Sequence, residues 1–568
     1  MKRPSLRTAF AVLFVLQSAG AQTVRFVQAG AASPGLGTIQ APFASIQVGI
    51  AASVNGDALA VAPGTYFEAL DFSGKNIDVY GTGGASITTV HAGYLAPVVR
   101  FRSGEGPTAR MAGFTLRLGL ADSFDFGGGI SVDGASPTVE DCIIESCNGG
   151  DGGGGIGCNG GAPRFRRCLI QFNNAGSSWP GVGGVLMMSQ AGRFENCSIV
   201  GNFGPDGYID CVGSCCSGGH GGTGGVQGIG PAGGSATIFF QFVNCLIVAN
   251  HGGDATYGHD GGHGGVFGAM TFANCTIMHN FGGFGPSALT TPKCGYSAGD
   301  GGSGGVGGGA VLRNCIVRGN QGGIGGAGLV IPGGSYPPGF AGQNDDFGVG
   351  AVSFSNIPGF HAGPGNIDAD PQLATYRPTA TSPGVDAGNN LVVDLPATDL
   401  DGLPRVQHMV VDQGAFESAA TTYRGAVGLS SGAPVSTLTV NGHDRTAPVP
   451  MNGSATIAMA APPGGGPAPF LIIGRIGVSA ASDLIVLPAG IGELAFAHPL
   501  MAAGDLSLFL LADNLLGGPA ATASSPAPWA VTLPAPGVAF TFMLQGLIDD
   551  STAVYGCSVT NAVRVDVQ

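Results

Sequence analysis

The chain has 568 residues, of which 105 are glycine, while charged residues make up only 10% and the formal net charge is −14. Average proteins carry about 7% glycine, and such an excess suggests collagen or a flexible linker, but no Gly-X-Y period is present and 44% hydrophobic content is too apolar for disorder. The acidic balance excludes nucleic acid and anionic lipid as partners on electrostatic grounds.

Met1-Lys2-Arg3 and Arg7 precede an apolar run from Ala9 to Leu16 and the small-residue site Ala19-Gly20-Ala21. This pattern predicts a secretory signal over residues 1–21, cleaved before Gln22. No later segment reaches about 18 uninterrupted apolar residues, so no transmembrane helix is expected and the mature chain should be secreted or held at the cell surface. Next, APFASIQVGIAAS places Phe43, Ile46 and Ile50 at helical spacing, predicting a short helix that caps an open end of β-structure. Asp57, Glu68 and Lys75, in the two strand-like runs that follow, read as solvated turn residues.

Between residues 139 and 320 one pattern recurs six times: VEDCIIESC, FRRCLIQFN, FENCSIVGN, FVNCLIVAN, FANCTIMHN and LRNCIVRGN. Its cysteines are Cys142, Cys168, Cys197, Cys245, Cys275 and Cys315. Intervals near 25–30 residues suit one coil of a parallel β-solenoid, and longer intervals are coils with Gly-rich insertions. Cys and the Ile two positions later share a strand face, but the apolar residue three before Cys falls on the opposite face of a flat strand. The chain must therefore turn a corner just before Cys, at Asp141, Arg167, Asn196, Asn244, Asn274 and Asn314, where Asn and Asp tolerate left-handed backbone geometry and Arg167 departs from the rule. Stacked coils make Phe, Cys and Ile internal ladders, and the corner Asn side chains can bond successive coils. A second Asn ends the strand at Asn173, Asn202, Asn250, Asn280 and Asn320, with Cys147 in the first copy. The ladder cysteines are expected as buried thiols; the rival reading is a disulfide framework, for which Cys158, Cys211, Cys215, Cys216 and Cys294 are the better candidates.

The stretch GTIQAPFASIQVGI followed by GDALAVAPGTYFEALDFSGKNIDVYG, together with the FxNCxIxxN repeats, resembles the right-handed parallel β-helix proteins of the pectin-lyase-like superfamily, and among them exported bacterial proteins. NIDADPQLATYRP, SPGVDAGNN, DLDGLPR and VDQGAFE, in residues 366–417, resemble the choice-of-anchor Q segment. The expected fold class is thus all-β: a right-handed parallel β-helix over residues 22–365, a choice-of-anchor Q-like closing segment over 366–420, and a small C-terminal β-sandwich over 424–568. In the closing segment Asp368, Asp370, Asp386, Asp399, Asp401, Asp412, Arg405 and Glu417 read as turns and ion pairs at the C-terminal end of the helix, with part of a cation loop as the rival reading.

Candidate chemistry lies on the Gly-rich insertions after the terminal Asn of the repeats, which should leave one side of the solenoid as a continuous surface. Asp254, His259, Asp260 and His263 are the densest titratable group and the catalytic candidates; His220 and Tyr257 are candidates for substrate binding, and Asp254, Asp260 and Asp300 for metal, Ca²⁺ being the cofactor such carboxylates suit. A pectate-lyase chemistry would need Ca²⁺ and an Arg or Lys base, and a polygalacturonase chemistry clustered aspartates with a His; neither an Asn-Thr-Asp nor an Arg-Ile-Lys motif occurs. The expected function is a binding or structural role on extracellular polysaccharide or a cell-envelope component, with a polysaccharide lyase or glycoside hydrolase acting on pectin-like polymers as the alternative.

Overall fold

A computed structural model describes residues 22–418, apart from 123, 177–180, 189–190, 209, 213–214, 218, 230–238, 291–294, 332–333, 360, 380, 393–394 and 407–409, and strand segments between 429 and 567. Residues 1–21, with the expected signal, lie outside the described residues.

The chain winds as a right-handed parallel β-helix whose coils each give one short strand to each of three sheets, of eleven, nine and nine strands. The first sheet runs from Val24–Val27 to Val352–Ser353, the second from Gly64–Tyr66 to Ile316–Arg318, and the third from Leu70–Asp71 to Asp346–Phe347. Register is set by the repeat: Phe165 pairs with Phe194, Phe194 with Phe242 and Phe242 with Phe272, and their buried rings stack at centroid distances of 4.6, 4.7 and 4.9 Å. Ile144, Ile170, Ile199, Ile247, Ile277 and Val317 form the matching column on the second sheet, all 0% exposed.

Between these columns each predicted corner residue is left-handed, with φ of 52° to 58° from Asp141 to Asn314. Even Arg167 adopts φ 52°, and its guanidinium grips Asp141 of the preceding coil at 2.7 and 2.8 Å. The Cys after each corner is buried, and its thiol donates to the carbonyl two residues earlier and to a carbonyl of the preceding coil, as Cys245 does to Val243 and Phe194 at 3.3 and 3.7 Å. Removal from water pushes the Cys142 and Cys147 thiols up to about 12, so they stay protonated. Cys158 differs from the disulfide reading: it stands on the strand Ile156–Asn159, fully buried and with no disulfide partner among the described residues. The side chains of Cys211, Cys215 and Cys216, and Cys294 as a whole, lie outside the described residues.

The second Asn of the repeat does more than end a strand. Asn173, Asn202, Asn250, Asn280 and Asn320 form a buried column in which each Nδ2 donates to the next Oδ1 at 2.8–3.0 Å, ending on Asp345. Each Nδ2 also reaches a carbonyl of the coil before, such as Ile199 O from Asn250, and each Oδ1 from Asn202 onward receives the preceding Asn's backbone N–H, so the amides are satisfied without water. The corner Asn residues are less connected: Asn244 donates to Asn196 at 2.7 Å, but the buried Asn274 amide meets no partner among the described residues.

The predicted cap is the helix Ile46–Ala52, with Ile46 and Ile50 buried on the core. Three residues read as solvated turns belong to its support. Glu68 accepts from Ser45 Oγ and from the Ile46 and Gln47 N–H groups, Lys75 Nζ donates to the Ile50 and Ala51 carbonyls, and buried Asp57 pairs with Arg25 at 3.3 Å. A carboxylate at the first turn and an ammonium at the last satisfy the end groups that a short helix leaves open.

Residues 368–418 lie along the side of the solenoid as a strap over the last strands of the second sheet. Ala415 and Phe416 pack with Leu246, Val248, Met278 and Ile316; Ala415 N–H donates to Thr276 Oγ1 at 2.9 Å, and Asn314 exchanges bonds with Asn389. Arg405, 1% exposed, faces Glu417 at 3.3 Å and donates to the Asp412 and Gly414 carbonyls, while Asp399 and Asp412 accept backbone N–H groups. The acidic residues of this segment are thus its turns and ion pairs, placed beside the coils as well as at their end. Beyond residue 429 a three-stranded and a five-stranded sheet are formed, among shorter pairings.

Candidate functional site

The Gly-rich insertions leave the solenoid between the second and third sheets as four stacked layers, residues 203–224, 251–264, 281–304 and 321–344. Each layer runs out, turns, and returns, and its hydrogen bonds recur every third residue. In the outgoing rows Gly204 and Gly207 donate to the His251 and Asp254 carbonyls, Gly252 and Ala255 to Phe281 and Phe284, and Gly282, Gly285 and Ala288 to Gln321, Ile324 and Ala327, at 2.6–2.9 Å. Returning rows repeat this: Gly221 and Gly224 donate to Asp260 and His263, and Gly261 and Gly264 to Asp300 and Ser303. A zigzag from Gly253 to Gly222, Gly262 to Gly253, Gly283 to Gly262, Gly302 to Gly283 and Gly323 to Gly302 ties the two rows together. Three residues per turn with no bond inside a row is the polyproline-II pattern.

This lattice explains the composition. A Cβ on Gly253, Gly262, Gly283, Gly302 or Gly323 would stand 1.8–2.0 Å from a neighbouring carbonyl oxygen, so the glycines serve close approach of backbones.

Every third residue faces out of the lattice, and these positions hold the candidate residues. Asp254 belongs to an outgoing row: its N–H donates to Asp206 at 2.9 Å, and its own Oδ1 accepts the Phe284 N–H at 2.8 Å. Asp260 and Asp300 belong to the returning rows, with Asp300 N–H on Asp260 Oδ1 at 2.9 Å and Phe340 N–H on Asp300 Oδ1 at 2.7 Å. The three carboxylates are rungs, each accepting the N–H of the equivalent residue one layer on. His220 does the same with Nδ1, accepting the Asp260 N–H at 3.1 Å, and His263 with Nδ1, accepting the Ser303 N–H at 3.3 Å. His263 stacks on Phe267 at 4.6 Å, and burial pulls it down to about 4, so its ring is neutral at ordinary pH. His259 meets His220 edge-on at 4.5 Å; burial, then the neighbouring imidazole, lowers its basicity. Tyr257 packs on Tyr296 at 5.2 Å.

The structure thus brings His220, His259 and Asp260 together, while Asp254 is bonded in the other row. Among the described residues no group of three or more His, Cys, Asp or Glu is placed to hold a metal ion. The sequence reading missed the outward column beside the solenoid wall, where His251 lies between the rings of Phe203 and Phe281 at 5.2 and 4.8 Å. Its signal was available: all three directly follow the terminal Asn of a repeat, at Asn202, Asn250 and Asn280.

No known family matches the chain, and no characterised protein matches it by sequence. Among solved structures it is similar to pectate lyase Pel9A, with 15% identity, 70% of this chain and 96% of that one covered, and a TM-score of 0.37. The pectin methylesterase PemA from Erwinia chrysanthemi covers 47% of this chain and 82% of its own at 13% identity and TM-score 0.30, and a rhamnogalacturonan lyase 59% and 87% at 13% and 0.30. At these identities the likeness is one of fold. Among the described residues no helix is long and apolar enough to cross a membrane.

Proposed function

We propose that this chain is an exported β-helix scaffold with a binding or structural role on extracellular polysaccharide or a cell-envelope component. The observation that carries this reading is the use of the titratable residues. Asp254, Asp260, Asp300, His220 and His263 each present an acceptor atom to the backbone of an adjacent layer, which is lattice work, whereas a general acid or base needs its proton-carrying atom aimed at a substrate. In this reading the anchor-like strap and the C-terminal β-sandwich attach the scaffold, and the insertions form its contact surface.

The test is a turnover assay with acidic and neutral polysaccharides, with and without Ca²⁺, beside a binding assay with the same polymers. Binding without cleavage, kept in the Asp254→Ala, His259→Ala, Asp260→Ala, His263→Ala combination, supports the scaffold. Cleavage lost in that combination would replace it by the lyase or hydrolase reading.

A further inference from the structure

The four layers do not end symmetrically. In each of the first three, outgoing and returning N–H groups point to carbonyls of the next layer, so every donor row is covered by the layer after it. Among the described residues the fourth layer has no successor. Among the described residues, the N–H groups of Gly325, Gly328 and Ala341, equivalent to those of Gly285, Ala288 and Gly301 one layer below, meet no acceptor, and Gly322 is met only by the side chain of Asn344. Residues 321–344 also contain no charged side chain, in a molecule of net charge −14. Ile324, Val330 and Phe340 are exposed there by 69, 83 and 79%.

We propose that this open layer is a docking edge for an extended, uncharged, glycine-rich polypeptide segment of another protein, which adds as a fifth polyproline-II layer. Three successive layer contacts use one bond pattern, and the fourth donor row continues it with a spacing of about 9 Å from Gly325 to Gly328, at roughly 3.1 Å per residue. The occupant must supply carbonyls at that spacing and carry glycine where its backbone meets the row. A second copy of the fourth layer does not meet this need, because it would present donors to donors. Added backbone bonds give the affinity and the exposed Ile324 and Phe340 flank the seat, as when a strand adds to a sheet edge.

The experiment uses the full chain and a synthetic peptide of five Gly-Gly-Ser repeats, followed by calorimetry or chemical-shift titration. Ala341→Pro removes one donor at an exposed position that already carries a Cβ, with a φ that polyproline II accepts. The peptide should bind, bind at least tenfold more weakly to Ala341→Pro, and lose as much when the second glycine of each repeat is alanine. Should Ala341→Pro melt below the parent, Phe340→Ala replaces it: it leaves the donor row intact and removes an exposed apolar flank of the seat, and the peptide should again bind more weakly. No binding at millimolar peptide, equal binding of the alanine-bearing peptide, binding of dextran with the same sensitivity to Ala341→Pro, or self-association removed by that substitution would each overturn the proposal.

Discussion

At the residue scale, two asparagine columns with one sequence signature do different work. Asn250 is 0% exposed and its amide completes bonds to Asn202, Asn280 and the Ile199 carbonyl. Asn250→Leu would leave buried donors and acceptors on both neighbouring coils unpaired, and about 1–3 kcal/mol for each such group predicts a severe loss of stability in a denaturant titration. Asn274 is present for its φ of 52°, since its own amide has no partner among the described residues. Asn274→Gly should therefore hold stability within about 1 kcal/mol, because glycine keeps the left-handed corner and removes an unsatisfied group. Cys245→Asp, by contrast, would bury a carboxylate among thiols and carbonyls, and its melting temperature should fall sharply; an unchanged value would contradict the inward ladder.

His263 links a residue to pH. Its folded-state value near 4 lies below the ordinary value of 6.5, so the unfolded chain binds the extra proton between those limits. Stability should therefore be fully present above about pH 6.5 and decline as pH falls toward 4, by at most about 3 kcal/mol and less because the ring keeps part of its surface in water. The facing carboxylate of Asp260 opposes the shift. His263→Gln should flatten this part of the stability–pH curve, and an unchanged slope would mean that other groups carry it.

At the scale of the elements, the coil was legible in the sequence and the lattice was not. Phe, Cys and Ile recur at fixed offsets because each inward column demands one size of apolar group, and the corner follows from the impossible parity of a flat strand. The insertions obey a period of three, which hydrophobic patterning does not reveal, since the alternating partner is backbone. Glu68 and Lys75 were equally hidden, because their partners at the two ends of the helix Ile46–Ala52 come from coiling, more than twenty residues away. Position decides a glycine's importance here: Gly302→Ala would put a methyl group 1.9 Å from the Gly262 carbonyl. That change should speed amide exchange across residues 251–344 while leaving the upstream coils protected, because the lattice adds to the solenoid from outside.

At the scale of the whole molecule, charge limits which polymer the chain could meet in the role proposed for it. The net charge is −14, and it becomes more negative if Lys2, Arg3 and Arg7 leave with a signal. Between Arg25 and Arg405 all arginines except Arg164 and Arg313 stand within 4 Å of a carboxylate among the described residues. Several form one ladder over the first sheet, where Arg110 joins Asp78 to Glu140 and Arg166 joins Glu140 to Glu195. Cations already paired across coils hold the solenoid together and offer little to a polyanion, whose approach the remaining acidic surface opposes over a Debye length of about 10 Å at 0.1 M salt. A polyuronate should therefore fail to retard the full chain in affinity electrophoresis at low salt, where any attraction would be greatest, and adding EDTA should leave the melting temperature unchanged. Retardation by polygalacturonate that weakens with salt would show that Arg164, Arg313 or the C-terminal region supplies a cationic seat, and would restore the acidic-polymer reading.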